Sequence, residues 1–251
     1  MKNYLLTLSY DGTDYHGWQR QKNQITVQEE VENAIAKLIG APVSVTASGR
    51  TDEGVHALGQ TANFECDTNI PADKFADALN TFLPQDIRAL SCREVPLGFS
   101  ARKSAKRKTY AYSFYLSSHV LPPLDRFALR VGAPLDEEAI AAACHKIEGT
   151  HDFAKFYCLG SSAKTTVRTV YSCKLIRADS LGADAAYRLE ICGDGFLYKM
   201  VRLIAGALLR LSDGKITLGE LESAVESKAD LQKIPAPSKG LSLLRVEYEN
   251  N

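Results

Sequence analysis

The sequence predicts an α+β fold of two related halves, each an α/β sandwich whose helices lie on an antiparallel or mixed sheet. Apolar residues recur with the period of two of strands in some segments and with the 3.6-residue period of helices in others. These segments follow one another in a strand–helix–strand rhythm that occurs twice, although the two copies share no matching residues. We therefore predict an N-terminal half at 1–105 and a C-terminal half at 106–251, with the junction near 100–105.

The N-terminal half begins with a strand that has apolar residues at alternate positions from Tyr4 to Leu8. Thr26 and Glu29 have the spacing of a capping box, so they predict the start of a helix, which Gly40 ends. The predicted strands of this half are 4–10, 43–47, 60–66 and 87–95, and its second helix is 73–82.

The C-terminal half contains the strongest helical pattern of the chain, a single apolar stripe with the 3.6-residue period at 197–211. Thr217 and Glu220 have the capping-box spacing and predict the start of another helix. The segment 118–134 carries three prolines and is predicted to be the most irregular part of the chain. The predicted strands of this half are 108–116, 167–177, 186–192 and 241–248, and its first helix is 136–147.

The composition is that of a globular protein and excludes several classes of function. Of the 251 residues 45% are hydrophobic, which is enough to bury a sizeable core. The formal net charge of zero argues against a nonspecific polyanion binder. The six cysteines form no CxxC pair and have no accompanying histidine cluster, so we expect neither a metal site nor a disulfide framework. With no signal peptide and no apolar run of membrane-spanning length, we expect a cytoplasmic protein that does not enter a membrane.

Asp52 is the residue with the clearest chemical potential. It lies in the string Gly49–Ala57, between two glycines and two residues after Arg50. Glycine permits tight turns and close approach to a ligand, and a nearby arginine favours the ionised carboxylate. An ionised carboxylate can act as a base or as a covalent nucleophile. On residue types alone, an ordinary surface turn with a weak exposed ion pair is the stronger interpretation.

A basic segment precedes the aromatic-rich strand of the C-terminal half. Residues 102–110 hold five cations and no acid, and tyrosines follow at alternate positions. Cations beside aromatic rings are typical of nucleic-acid sites, where they bind phosphates and unstacked bases. A solvated charge run beside a core strand explains the same pattern equally well.

Two further residues could support a site at Asp52. Lys199 and Arg202 lie three residues apart and off the apolar stripe of the strongest helix, which predicts a shared helical face. Apolar residues surround Arg202 in sequence, where a charge is usually paired, and a carboxylate such as Asp52 is one candidate partner. His56 could act as a base, but a hydrogen bond from this histidine to the Asp52 loop is the stronger expectation.

Several strings together, in this order and over nearly the whole chain, resemble the tRNA pseudouridine synthase A family. The nine residues around Asp52 are the most specific of them, and the C-terminal match is less so. The matching strings are Tyr10–Thr13, Gly17–Gln21, Gly49–Ala57, Lys108–Tyr112, Gly195–Arg202, and Pro235–Pro237 with Gly240–Leu241.

The resemblance implies an isomerase that converts uridine to pseudouridine at positions 38, 39 and 40 in the anticodon stem-loop of tRNA. It implies the pseudouridine synthase fold, with the active site in the cleft between the two halves. It also implies a homodimer that needs no metal and no organic cofactor.

The resemblance assigns roles to individual residues. Asp52 attacks the nucleotide at C1′ or at C6, and these alternatives stay open. Arg50 and Arg202 keep Asp52 ionised and oriented, while Tyr110 stacks on the flipped uracil and assists removal of the C5 proton. His56 belongs to the substrate-binding set through the Asp52 loop. The candidates for phosphate contacts, chosen by charge and neighbourhood, are Arg20, Lys22, Arg107, Lys108, Arg168 and Lys199.

Two other functions fit parts of the pattern. A tRNA-binding chaperone without catalytic activity would need only the basic segment and the tyrosines. A metal-independent hydrolase would use Asp52 with His56 as its base. The set of Arg50, Asp52, Tyr110 and Arg202 favours the synthase over the chaperone.

Overall fold

The structure is a computed structural model that describes residues 1–132, 134–158, 160 and 163–249. The chain forms two compact units. Unit 1 comprises Met1–Lys106 and the segment that begins at Ser242, and unit 2 comprises Arg107–Leu241. The predicted division at 105/106 lies one residue before this boundary, but it left the final strand with the C-terminal half, whereas that strand belongs to unit 1.

Unit 1 contains a mixed sheet with the strand order β4-β1-β3-β10. The neighbours β1, β3 and β4 are antiparallel, and β10 is parallel to β3. Gly59 permits this pairing, because a Cβ at this position would lie 2.3 Å from the Leu244 carbonyl oxygen. The strands are β1 (Lys2–Tyr10), β2 (Thr46–Ala47, paired with β3), β3 (His56–Cys66), β4 (Ile87–Val95) and β10 (Leu241–Tyr248).

Two helices, α1 (Val27–Ile39) and α2 (Ala72–Asn80), complete unit 1. The core includes a cluster of three aromatic rings, Tyr4, Phe64 and Phe75, whose centroids lie 5.4–5.6 Å apart. Because β1 and β3 contribute two of these rings and α2 the third, the cluster fixes α2 against the sheet.

The helix predicted between Thr26 and Gly40 is present, but the predicted capping box is wrong. Thr26 is the N-cap residue, yet its buried hydroxyl makes no hydrogen bond. The first amide groups of the helix donate instead to the carbonyls of Gly17 and Trp18, in a loop distant in sequence. Tertiary contacts thus satisfy the donors that a local capping box would serve.

In unit 2 the strands follow the order β5-β9-β8-β7, all antiparallel, and the short β6 pairs with β5 in parallel. Strands β6 and β7 were not predicted, because each is too short to show a period of two. The strands are β5 (Ala105–Leu116), β6 (Leu129–Val131), β7 (Gly149–Asp152), β8 (Val167–Ala178) and β9 (Ala185–Gly193).

The helices of unit 2 are α3 (Pro122–Asp125), α4 (Glu137–Ile147), α5 (Met200–Ser212) and α6 (Leu218–Val225). The capping box of Thr217 and Glu220 is confirmed at α6. Helix α5 begins three residues after the predicted Leu197, because Lys199 adopts a left-handed backbone conformation with φ of 61°. The segment predicted as irregular contains α3 and β6, and its residue 133 lies outside the described residues. Within the described part of the chain, no helix has the length and apolarity needed to cross a bilayer.

Candidate active site

The Asp52 loop connects β2 to β3 in unit 1, and buried side chains hold it at several points. The Tyr10 hydroxyl lies 2.8 Å from Thr51 Oγ1. Gln60 Nε2 donates to the Gly49 carbonyl at 2.9 Å, and Ser48 Oγ donates to Gln60 Oε1 at 2.7 Å. The backbone on the N-terminal side of Asp52 is therefore fixed by partners from β1 and β3.

A tight turn follows immediately after the carboxylate. The Val55 amide donates to the Asp52 carbonyl at 3.1 Å, and Gly54 has a φ of 71°. A left-handed conformation favours glycine, so Gly54 fits the turn without strain. Asp52 itself is half-buried.

The loop at residues 11–18 packs directly on the Asp52 loop. A Cβ at Gly12 would lie 2.0 Å from the Val55 carbonyl oxygen, and a Cβ at Gly17 would lie 2.6 Å from the Thr51 carbonyl oxygen. The Trp18 amide donates to that same Thr51 carbonyl at 3.0 Å. Three strings that are separate in the sequence, Tyr10–Thr13, Gly17–Gln21 and Gly49–Ala57, therefore pack together.

Arg50 is exposed, and its Nε donates to Gln19 Oε1 at 3.1 Å. Gln19 Nε2 donates in turn to Gln28 Oε1 at 3.0 Å, and Gln28 Nε2 donates to Glu32 Oε1 at 2.9 Å. This chain of amides anchors the arginine to α1. Sequence reasoning missed Gln19 and Gln28, although Gln19 lies in one of the strings that carry the resemblance.

His56 is only 3% exposed. Its Nδ1 lies 3.1 Å from the Gly12 amide nitrogen and 3.1 Å from Asp11 Oδ1. The ring is therefore covered by the loop that packs on Asp52. This position favours a hydrogen-bonding role between β3 and the loop at 11–18 over direct contact of the imidazole with a ligand.

Tyr110 lies on β5 in unit 2 and is 8% exposed. Its ring meets Phe196 edge to face, with centroids 5.3 Å apart and planes at 85°. An aromatic partner held in this geometry limits rotation of the tyrosine ring. Phe196 was part of the matching string Gly195–Arg202, but no role was predicted for it.

Arg202 lies in the first turn of α5, against the segment that follows Ile234. Its Nε donates to the Ala236 carbonyl at 2.8 Å, and the Ala236 amide donates back to the Arg202 carbonyl at 2.9 Å. The same segment passes so close to α5 that a Cβ at Gly206 would lie 2.2 Å from the Ile234 carbonyl oxygen. The helix therefore needs glycine there, at a position where glycine is otherwise unfavourable.

Tyr112 completes the surroundings of Arg202. Its hydroxyl donates to the Pro237 carbonyl at 2.8 Å. Burial raises the pKa of the Tyr112 phenol, while the positive charge of Arg202 acts in the opposite direction. The arginine side chain is thus fixed beside a neutral phenol by the segment of the Pro235–Pro237 string.

The two phosphate-contact candidates of unit 1 lie in the loop before α1. Arg20 is half exposed and pairs with Glu32 at 2.9 Å and with Glu29 at 3.8 Å. Lys22 is exposed a little further along the loop. The carboxylates hold Arg20 in place but also compete with a phosphate for its guanidinium.

The four candidates of unit 2 occupy β5, β8 and the segment before α5. The Arg107 guanidinium stacks on a tyrosine ring, Lys108 is half-buried, and Arg168 Nη1 donates to the Thr165 carbonyl at 2.9 Å. Lys199 Nζ lies 5.0 Å from the centroid of its neighbouring tyrosine ring. The predicted shared helical face of Lys199 and Arg202 is wrong, because Lys199 precedes the first turn of α5.

Comparison with known proteins decides the family. The model of the tRNA pseudouridine synthase family matches residues 7–102 and 143–249, which is most of the chain. The chain belongs to this family. Arg50, Asp52 and Arg202 lie in the matched segments of the synthase model, and Tyr110 lies between them.

Relatives of similar length support the assignment to the synthase family. tRNA pseudouridine synthase A of Acetivibrio thermocellus is 45% identical over 249 residues, covering 99% of this chain and 100% of the relative. The enzymes of the same name from Clostridium acetobutylicum and Geobacter sp. (strain M21) are 43% and 39% identical, with 99% of this chain covered in each case. They themselves are covered over 100% and 99% of their length.

Among solved structures, the archaeal box H/ACA sRNP Nop10-Cbf5 complex matches with a TM-score of 0.36 and 14% identity, over 88% of this chain and 53% of that chain.

The family, which isomerises uridine to pseudouridine, confirms the predicted enzyme class. The predicted α+β fold with antiparallel and mixed sheets is confirmed as well.

Proposed function

We propose that this chain converts uridine to pseudouridine at positions 38, 39 and 40 in the anticodon stem-loop of tRNA. The observation that carries the proposal is the match to the synthase family over both ends of the chain, together with full-length identity to enzymes named tRNA pseudouridine synthase A. The catalytically silent chaperone finds no support in these relatives.

The reaction breaks the bond between ribose C1′ and uracil N1 and forms a bond between C1′ and C5. In one route the Asp52 carboxylate attacks C1′, and uracil leaves with the electron pair of the broken bond. After the base turns, C5 attacks C1′ and displaces the carboxylate, and the C5 proton passes to N1. In the other route the carboxylate adds to C6, and the π electrons of the C5–C6 bond move onto C5 and O4. C5 then takes C1′ as the bond to N1 breaks, and loss of the C5 proton restores the C5–C6 double bond, expels the carboxylate and leaves a proton for N1. Both routes need the uridine outside the helical stack, as for other enzymes that act on a base.

The geometry of the Asp52 loop supports a nucleophile at this position. Nucleophilic attack needs a carboxylate that is reachable and held in one orientation. Asp52 is half-buried on a loop whose backbone is fixed by Tyr10, Gln60 and the loop at 11–18. Arg50, held by Gln19, supplies positive charge two residues away.

Tyr110 and Arg202 have the rigidity that their proposed roles require. We assign Tyr110 to stacking on the flipped uracil and to assistance in removing the C5 proton. Arg202 is assigned to keeping Asp52 ionised and oriented. Phe196 limits motion of the tyrosine ring, and Ala236 fixes the arginine Nε.

The proposal includes a homodimer that binds tRNA and works without metal or organic cofactor. We also propose that the phosphates of the tRNA are contacted by six cationic side chains, which are Arg20, Lys22, Arg107, Lys108, Arg168 and Lys199. A tRNA substrate is consistent with a cytoplasmic location.

The decisive experiment incubates the protein with unmodified tRNA transcripts and maps pseudouridine chemically along the anticodon arm. We expect signal at positions 38 to 40 with the native chain and none with Asp52→Asn, while tRNA binding survives. Asp67→Asn is a matched control, because its side chain is 92% exposed and lies in the same unit. Substantial turnover by Asp52→Asn would remove the nucleophile role, and a blank map with native protein would overturn the proposed function.

His56→Ala separates the synthase from the hydrolase that uses Asp52 and His56. A hydrolase would lose its base and its activity, whereas the synthase loses the contacts of His56 Nδ1 with Gly12 and Asp11 in the loop at 11–18. We expect pseudouridine formation to continue at a reduced rate.

A further inference from the structure

Strand β8 carries a bulge that turns Tyr171 to the surface of unit 2. The register advances by two residues along β8, from Val170 to Ser172, but by only one along β9. In a regular strand Tyr171 would share the face of Cys173, which is buried. Because of the extra residue, Val170 and Cys173 both face the core and Tyr171 is 45% exposed.

The exposed ring lies against a cation. The Arg107 guanidinium carbon is 4.6 Å from the centroid of the Tyr171 ring, and Arg107 is itself exposed. An exposed cation–π pair contributes only about 0.5–1 kcal/mol to folding. Bulges commonly serve to re-aim a side chain, so the arrangement points to a role for the ring outside the core.

This pair lies at the same end of the sheet as Tyr110. A Cβ at Gly193, the β9 residue opposite the bulge, would lie 3.2 Å from Phe196 Cζ. Phe196 contacts the Tyr110 ring, and Gly193 also pairs with Lys108. Gly193 and Phe196 therefore link the backbone of the bulge to the Tyr110 ring at this end of the sheet.

A second cation–aromatic pair follows in the segment between β9 and α5. Lys199 Nζ lies 5.0 Å from the Tyr198 ring centroid, and Lys199 has a φ of 61°. A non-glycine residue in this conformation costs roughly 1–2 kcal/mol, and such strain concentrates at functional sites. The bulge in β8 and the left-handed conformation of Lys199 thus each accompany a cation that lies beside an aromatic ring.

We propose that Tyr171, stacked on Arg107, is a subsite for a nucleobase of the RNA substrate, beyond the nucleotide that reacts. This proposal rests on the proposed function, since it takes RNA to be the ligand. Every base has a π-face, so the ring can stack on one without reading the sequence, while the guanidinium neutralises a neighbouring phosphate. The exposed Arg107 guanidinium favours a polyanion as occupant of this surface.

The test measures affinity for an unmodified tRNA transcript by filter binding with Tyr171→Ala, Tyr171→Leu and Tyr171→Phe. Base stacking on an aromatic side chain is worth about 1–3 kcal/mol, which corresponds to a loss of about 5- to 150-fold for the alanine and leucine variants. The phenylalanine variant keeps the ring and retains the native affinity within about twofold. Ile176→Ala, an exposed apolar truncation on the same strand, is the control that leaves affinity unchanged.

Salt dependence separates the ring from the cation. Arg107→Ala should lower the slope of log affinity against log salt by about one, whereas Tyr171→Ala should leave the slope as it is. Ultraviolet crosslinking of the native complex, followed by mass spectrometry, should find a nucleotide attached to Tyr171.

Native affinity in Tyr171→Ala would overturn the proposal, because the exposed ring would then contribute nothing. Equal losses in the alanine and phenylalanine variants would overturn it too, since the hydroxyl and not the ring would be the binding group. The affinity measurements do not depend on turnover. A native protein that binds tRNA but makes no pseudouridine would contradict the proposed function, and the affinity test of Tyr171 could still be carried out.

Discussion

Gln60 offers the sharpest test of how the fold positions Asp52. Its side chain is fully buried and joins four groups of unit 1. Nε2 donates to the Gly49 carbonyl at 2.9 Å, while Oε1 accepts from Ser48 Oγ at 2.7 Å and from the Thr61 amide at 3.2 Å. Nε2 also lies 3.5 Å from the Tyr10 hydroxyl. We expect Gln60 to be a positioning residue, because it holds the loop three residues before the carboxylate.

Truncation to alanine should cost both stability and rate. Each lost hydrogen bond is worth about 1 kcal/mol, and a buried carbonyl left without a donor costs about 1–3 kcal/mol. For Gln60→Ala we expect the free energy of unfolding to fall by about 2–4 kcal/mol in urea titrations. A displacement of the loop by about 1 Å can lower the turnover number by about 100-fold with less effect on tRNA affinity.

Asn80→Ala is the matched control for this loss. The Asn80 amide also lies within unit 1 and bonds the backbone of Ala89 twice, at 2.9 and 2.8 Å. We expect it to lower stability by a comparable amount while the turnover number stays near that of the native protein. If Gln60→Ala has the same profile as this control, the positioning role is wrong and Gln60 serves stability alone.

Gln60→Glu adds a test in which stability and turnover are measured as a function of pH. If Gln60 served stability alone, turnover would not follow the ionisation of the introduced carboxyl. A protonated carboxyl can still donate to Gly49, but an ionised one sets an oxygen against that carbonyl. Burial and this acceptor raise the pKa of the introduced carboxyl in the folded state above its unfolded value of about 4.3. Stability and turnover are therefore retained at low pH and lost as pH rises through the folded pKa. The Tyr10 phenol, whose pKa is raised to about 12 by burial, stays protonated throughout. A Gln60→Glu profile parallel to the native one would refute the reasoning.

Two further predictions concern unit 2. Gly206→Ala, which in an ordinary helix stabilises by about 1 kcal/mol, should lower the melting temperature here, because its Cβ would lie 2.2 Å from the Ile234 carbonyl oxygen; a raised melting temperature would show that the segment yields. Tyr110→Phe should keep the fold and the tRNA affinity, since the ring contact with Phe196 remains, but should lower the single-turnover rate if the hydroxyl takes part in proton transfer. An unchanged rate would confine Tyr110 to stacking.

The sequence predicts a structural feature correctly where the residues that form it lie within a few positions of one another. The apolar periodicity predicted β1, β4 and β10 closely, and the capping box at Thr217 predicted the start of α6. The glycine after α1 ended that helix in a left-handed conformation, as expected. These features depend on hydrogen bonds and side-chain contacts between near neighbours, so the sequence contains all that they need.

Features that depend on distant partners were not predictable in this way. At Thr26 the capping pattern is present, but carbonyls of the loop at 11–18 satisfy the helix. At Lys199 a left-handed residue delays α5, and at Tyr171 a bulge reverses the face of a side chain. Each departure is favoured by contacts that exist only after the chain has folded.

The sequence by itself determined the family, the enzyme class and the candidate nucleophile, because the amino-acid string around Asp52 and the strings that accompany it are characteristic of one family. Only the tertiary structure decided what holds that carboxylate: Gln60 and Tyr10 beneath its loop, and Gly12 and Gly17 against it. The physical reason is that a catalytic residue is recognisable by its own chemistry, whereas its orientation depends on hydrogen bonds and close packing with residues that only folding brings near.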